Sequence, residues 1–350
     1  MSRSPRDSEV EEPDRIPGHA HPRETYELIG QDAALARAAR AIRSGRPPQA
    51  WLIAGPPGIG KASLAYRIAR YLLRYGATPA GPADLSVPPS DPVSRQIEAQ
   101  AHPGLLVLKR ARNEKTGKLK TVLDVDEIRR LGGFFGLTAE AGGWRVAIID
   151  SADEMNDNAA NALLKNLEEP PAHGLLILIG HAPGRLLATI RSRCRRLDLK
   201  PLDEATLTEA LARLIPDTSA EDRAALVRLS EGSLGLALRL SGEEGLRLAR
   251  EAECLLSARG APDVPAILAL ADRIARSPDG LLHFGEFLTQ AISRRIRERA
   301  RHGQPSERGV ELWEQLNALY ARATGLHLEP RQTVLTSARE IAAATRRGAL

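Results

Sequence analysis

Gly55-Pro56-Pro57-Gly58-Ile59-Gly60-Lys61 meets the spacing GxxxxGK. Glycines in that pattern let backbone N–H groups converge on an anion, and the terminal lysine reaches the outer phosphates of a nucleotide. That chemistry requires a buried strand before the loop and a helix N-terminus after it. Trp51-Leu52-Ile53-Ala54 is a short apolar run bounded by turn formers, and Leu64, Ile68 and Leu72 recur at helical spacing, so both elements are expected. The expected nucleotide contacts are Gly55, Pro56, Pro57, Gly58, Ile59, Gly60, Lys61, Ala62 and Ser63, with ATP or ADP as ligand. A glycine-rich turn that binds nothing is the alternative, and the agreement of strand, loop and helix weighs against it.

Hydrolysis asks for more than binding. The residue after the lysine normally carries a hydroxyl for Mg²⁺, and here it is Ala62. Ser63 is adjacent, but neighbouring residues on a helix point in different directions. Asp150 ends the apolar run Val146-Ala147-Ile148-Ile149 and fits the second acidic element of such sites, which orders the Mg²⁺ shell. Its neighbour is Ser151, and Asp153 and Glu154 could supply the water-polarising carboxylate only in a shifted register.

The elements that must position these groups alternate along the chain. Strands are expected at Trp51–Ala54, Leu105–Leu108, Arg145–Ile149 and Leu175–Ile179, with helices between them, including Asn156–Leu167 and one capped by Asp126. Continuous apolar strands alternating with helices predict a parallel sheet covered on both faces, an α/β nucleotide-binding domain over 24–200. A polar leader over 1–23 is expected to be disordered. Short helices over 201–245 form a small helical domain, and 246–350 reads as all-helical, with breaks at Gly260–Pro265, Pro278–Gly280, His302–Pro305 and Gly325–Pro330.

With 350 residues, 43% hydrophobic and 27% charged, the chain has a globular composition. The net charge of +5 permits a nucleic-acid partner without demanding one, and the basic segment through Lys115 and the Arg294–Arg299 run read first as solvated faces. No stretch approaches the roughly 18 apolar residues of a membrane span, and the N-terminus lacks a signal-peptide core, so a cytoplasmic protein is expected. Cys194 and Cys254 cannot build a four-ligand zinc site, and Cys254 is expected as a small buried residue.

Asn161-Ala162-Leu163-Leu164-Lys165-Asn166-Leu167-Glu168-Glu169-Pro170-Pro171, followed by Ser192-Arg193-Cys194, resembles the clamp-loader branch of the AAA+ ATPases. His102-Pro103 and Val125-Asp126-Glu127-Ile128-Arg129 are similar to that family too, and the likeness runs from Leu28 to about Leu240. The resemblance implies a P-loop AAA+ domain, a helical lid and a helical collar, in a ring that opens a sliding clamp and closes it around primed DNA. It implies gamma or tau and delta subunits as neighbours, with clamp and primer-template DNA reached through the complex. It further implies that Arg193 acts in trans on a neighbour's nucleotide, where a guanidinium suits a transferring phosphoryl group.

Departures from the family pattern fall together. Ser151 stands where active members carry a catalytic glutamate, Gly180 where they carry a polar sensor, and Gly235 where the lid helix brings a sensing arginine. With Ala62, these losses predict a subunit that completes a neighbour's site without running its own; a working gamma- or tau-type ATPase is the alternative. Many relatives carry a cysteine-rich module where this chain has the cysteine-free stretch Gly76 to Pro92, so no zinc is expected.

Overall fold

Along Trp51-Leu52-Ile53, successive side chains enter two separate hydrophobic cores, so the strand is buried on both sides. The computed structural model describes residues 15–111, 120, 122–136, 143–169, 171–242, 244–257, 263–277, 280–326 and 328–348. The first 14 residues of the leader, and Lys115 with most of its basic segment, lie outside the described residues.

A parallel five-stranded sheet forms the first of two compact units. Its strands are β1 (Ala50–Ala54), β2 (Leu105–Leu108), β3 (Arg145–Ile149), β4 (Gly174–Gly180) and β5 (Arg195–Asp198), in the order β2-β3-β4-β1-β5. Trp51 pairs with Ile177 on one side and Arg195 on the other. Helices α1 (Asp32–Arg43), α2 (Lys61–Tyr75) and α3 (Pro92–Glu98) contribute to one face, where Ile42, Leu64, Ile68, Leu72 and Ile97 meet Ile53, Ile148 and Ile177. The other face carries α4 (Val125–Gly136), α5 (Asp157–Glu168) and α6 (Ala188–Arg193), whose Ile128, Leu131, Leu163 and Ile190 pack on Leu52, Ile149 and Leu178.

Four strands are expected from the sequence and the sheet has five. β5 reads Arg-Arg-Leu-Asp and buries only Leu197, because an edge strand needs one apolar contact and keeps charge on its open side. The helix start expected at Asp126 is capped two residues earlier: Asp124 Oδ1 accepts from Glu127 N at 3.3 Å, and Asp126 instead pairs with Arg129. The chain is built into the fold before Tyr26, since His21 and Arg23 are buried around a short turn at Pro22–Glu24. Arg70, itself buried, donates to the carbonyl of Arg23 and stacks over the Tyr26 ring.

After α7 (Glu204–Leu214) and α8 (Ala220–Ser230) comes α9 (Leu234–Leu240), and residues 230–238 group with the sheet unit. The second unit combines Asp217–Leu229 with Arg239–Leu350. It contains α10 (Gly245–Ser257), α11 (Val264–Arg276), α12 (Gly280–Arg301), α13 (Glu307–Leu326) and α14 (Pro330–Arg346), separated at the expected breaks. Its core includes Leu256, Ile274, Phe284, Ile292, Leu316, Tyr320 and Ile341. Cys254 is exposed rather than buried, because α10 turns Leu248, Ala249, Ala252 and Leu256 inward and Cys254 falls on the opposite side. Arg294 and Arg295 both pair with Glu253 on α10.

Candidate functional site

The loop between β1 and α2 stands at the carboxyl end of a central strand, where α/β sheets place their ligands. Gly55, Gly58 and Gly60 have φ of +147°, +74° and +96°, backbone that side chains resist. At Gly55 a Cβ would also lie 2.7 Å from the carbonyl oxygen of Leu199. The loop then opens directly into α2 at Lys61, whose first turn offers backbone N–H groups without intrahelical partners.

Lys61 folds back across this loop. It is buried, and its Nζ donates to Gly55 O at 2.7 Å and Pro56 O at 2.6 Å. An ammonium has three donors, so one is left for an anion. Burial pushes the Lys61 ammonium down to about 8, against the pull of Asp150 and Asp153, which raise it. Lys61 and Asp150 are thus brought to one site, as their places in the sequence suggest. Ala62 directs its methyl group to the core packed behind the loop, and Ser63 is half-buried beside it.

The two later carboxylates are engaged elsewhere. Asp153 accepts from His181 N at 3.0 Å and Ala182 N at 2.9 Å, bracketing the chain as it leaves β4. Glu154 pairs with Arg110 at 2.9 Å; burial raises its carboxyl pKa while Arg110 opposes the rise. Ser151 has φ of +54° at the exit of β3, a left-handed conformation that turns the chain into the short Ala152–Glu154 helix.

Gly180 and Gly235, the two glycines expected at sensing positions, differ physically. A Cβ on Gly180 would come no nearer than 3.4 Å to Leu52, an ordinary contact, so a methyl group would fit. A Cβ on Gly235 would lie 2.8 Å from the Cα of Gly58. The start of α9 is seated on the phosphate loop, with Gly235 N donating to Gly58 O at 2.8 Å and Ser233 Oγ to Pro57 O at 2.9 Å.

Gln31 is a site residue that sequence reasoning missed. It is buried, and its amide bridges Lys200 through Nε2 to O at 2.7 Å and N to Oε1 at 3.2 Å, with a longer contact of 3.4 Å to Ile59 O in the loop. The sequence carries no local signal for it, because its partners Ile59 and Lys200 lie 28 and 169 residues away.

Arg193 lies at the end of α6 on the surface, with its side chain 38% exposed. Its Nη1 donates to Thr189 O at 3.1 Å and its Nη2 to Glu168 Oε1 at 2.9 Å. Cys194, next in the chain, packs at the edge of the core, and burial pushes its thiol up to about 12, which keeps it a thiol.

A profile of the family described as DNA polymerase III, delta subunit matches residues 30–203. DNA polymerase III subunit delta' of Pseudomonas aeruginosa is 41% identical over 194 residues, covering 55% of this chain and 56% of that protein. The matched region is therefore little more than half of that relative. The delta' subunit of Escherichia coli is 34% identical over 257 residues, covering 73% of this chain and 72% of that protein. The tau subunit of Escherichia coli is 29% identical over 302 residues, 84% of this chain and 42% of that protein. Among solved structures, a gamma-subunit-related protein of Thermotoga maritima aligns at 17% identity and a TM-score of 0.42, over 90% of this chain and 99% of that one.

Proposed function

Because the chain belongs to the delta' subunit family of DNA polymerase III, we propose that it serves a clamp loader as a subunit that lends an arginine and does not turn over ATP itself. The observation that supports this reading is an asymmetry within one domain. Arg193 is exposed and anchored, while Lys61 is followed by Ala62 and the first carboxylates after Asp150 are bonded to other groups. In this reading the guanidinium of Arg193 stabilises charge on the phosphoryl group in transfer at an adjoining gamma or tau subunit.

The chain's own loop holds ATP or ADP through the N–H groups at the start of α2 and through Lys61, with Asp150 nearby and no hydroxyl at position 62 to fix Mg²⁺. Delta and gamma or tau are the direct partners, and the sliding clamp and primer-template DNA are met through the assembly. The helices over 246–350 serve as the collar and those over 201–245 as the lid, and the loader works in the cytoplasm. No helix among the described residues is long and apolar enough to cross a membrane.

Zinc has no place in this proposal. No group of three or more metal-ligating side chains occurs among the described residues. The stretch after α2 is instead tied down by Arg67 on Asp84 at 2.8 Å, Arg74 on Asp91 at 2.7 Å, and Tyr71 Oη on Thr78 O at 2.8 Å.

The test is ATP turnover by the purified chain alone and then mixed with gamma or tau, delta, clamp and primed DNA, comparing wild type with Arg193→Ala. The expected result is no turnover alone and mixed-complex turnover that falls about 10³-fold or more on losing the arginine. Robust turnover alone, abolished by Lys61→Ala, would establish a working ATPase instead.

A further inference from the structure

Glu168 is badly placed for its own helix. It is the last residue of α5 and Glu169 is the C-cap, so two carboxylates stand at the end where unpaired carbonyls concentrate negative charge. Local stability favours lysine or arginine there. Arg193, by contrast, ends α6 at the pole that suits a cation. The Glu168 carboxylate reaches Arg193 Nη2 at 2.9 Å, and Thr189 O holds Nη1 at 3.1 Å.

Both attachment points are mounted on one rigid frame. Leu163 and Leu167 of α5 and Ile190 of α6 belong to the same buried cluster. A free arginine side chain samples many rotamers, and ordering it opposes any contact it makes. Held at two points, Arg193 has lost that freedom before a phosphate arrives, and the rest of its five N–H donors are not taken up by these bonds.

We propose that Glu168 is a positioning residue for Arg193, pre-setting the guanidinium for a phosphoryl oxygen presented by a neighbouring subunit. This rests on the trans role proposed above for Arg193. The pair is open to solvent, at 38% and 52% side-chain exposure, so an incoming phosphate can exchange with the carboxylate at little cost.

The test is steady-state ATP turnover in the reconstituted loader with clamp and primed DNA, using Glu168→Ala, Glu168→Gln, Arg193→Ala and the Glu168→Ala/Arg193→Ala pair, each confirmed to assemble by size exclusion. Glu168→Ala should lower kcat about 3- to 5-fold, the scale of one exposed ion pair, with KM for ATP unchanged. Glu168→Gln, which keeps an acceptor oxygen at the same reach, should restore most of the loss. In the Arg193→Ala background, Glu168→Ala should have no further effect. An unchanged or raised kcat in Glu168→Ala, with Arg193→Ala still defective, would overturn the positioning role and leave the trans role standing. A Glu168→Ala loss that persisted without Arg193 would overturn it in the same way. Full turnover in Arg193→Ala would remove the trans role and this inference with it.

Discussion

The backbone N–H of Gly235 donates to the carbonyl of Gly58 at 2.8 Å, joining the first turn of α9 to the phosphate loop with no side chain between them. Two glycines meet here because neither can carry a Cβ. On Gly58 it would strike Ser233 Oγ at 2.4 Å, and on Gly235 it would lie 2.8 Å and 3.0 Å from Gly58 Cα and O. An arginine at position 235 is therefore excluded by space as well as by sequence, whereas a Cβ at Gly180 would meet only ordinary contacts.

Gly235→Ala forces backbone against backbone, so it should destabilise the sheet unit by about 1–3 kcal/mol, the usual scale of overpacking. Gly180→Ala, which adds only a methyl group, should be close to neutral. Thermal denaturation of the two variants side by side checks this; equal midpoints would mean that α9 lifts off the loop without cost.

Lys61 should make both stability and nucleotide affinity depend on pH. Its ammonium is held at about 8 in the folded chain against an ordinary 10.5, so the unfolded chain binds more protons between those values. Stability therefore rises as pH increases from about 8 to 10.5, by on the order of 3 kcal/mol. Lys61→Met should be more stable than wild type at pH 7, and the gap should close toward pH 10. Affinity for a fluorescent ADP analogue should run the opposite way and fall above pH 8 as the ammonium is lost. Parallel curves for wild type and Lys61→Met would refute this account of the buried lysine.

Gly285→Ala should weaken the helical unit even though alanine is the better helix former. A Cβ at 285 would lie 2.5 Å from the ring of Tyr320, which is buried and whose hydroxyl lies 3.0 Å from Ser337 Oγ. The overpacking cost of about 1–3 kcal/mol exceeds the roughly 0.5–1 kcal/mol gained in propensity. Urea unfolding with unchanged m-value and a lower midpoint is the expected outcome; a higher midpoint would show that the ring can move.

Metal chelation should leave the thermal midpoint where it was, since the proposal gives zinc no role. Asp91→Ala should lower it. Asp91 Oδ1 caps α3 by accepting from Val93 N at 2.9 Å, worth about 1 kcal/mol, and Oδ2 holds Arg74. A midpoint that drops with EDTA would show a bound metal that this chain needs.

The phosphate loop with its strand and helix, and the place of Asp150 at a strand end, were legible along the chain, because each depends on short-range pattern: glycine spacing, a continuous apolar run, helical periodicity. Arg193 was singled out only by the resemblance to the clamp-loader family. β5 was not, because an edge strand with one buried leucine carries almost no pattern of its own. Cys254 was misplaced because residue type says nothing about which side of α10 faces inward. The tasks of Gln31, Asp153 and Glu168 were also hidden, since their partners lie 169, 28 and 25 residues away. The sequence by itself determined the phosphate-loop spacing and the strand and helix that flank it, and only through a resemblance did it suggest which catalytic parts are missing. Only the tertiary structure decided what each remaining carboxylate does and why position 235 has no room, because those are contacts between segments that only folding brings together.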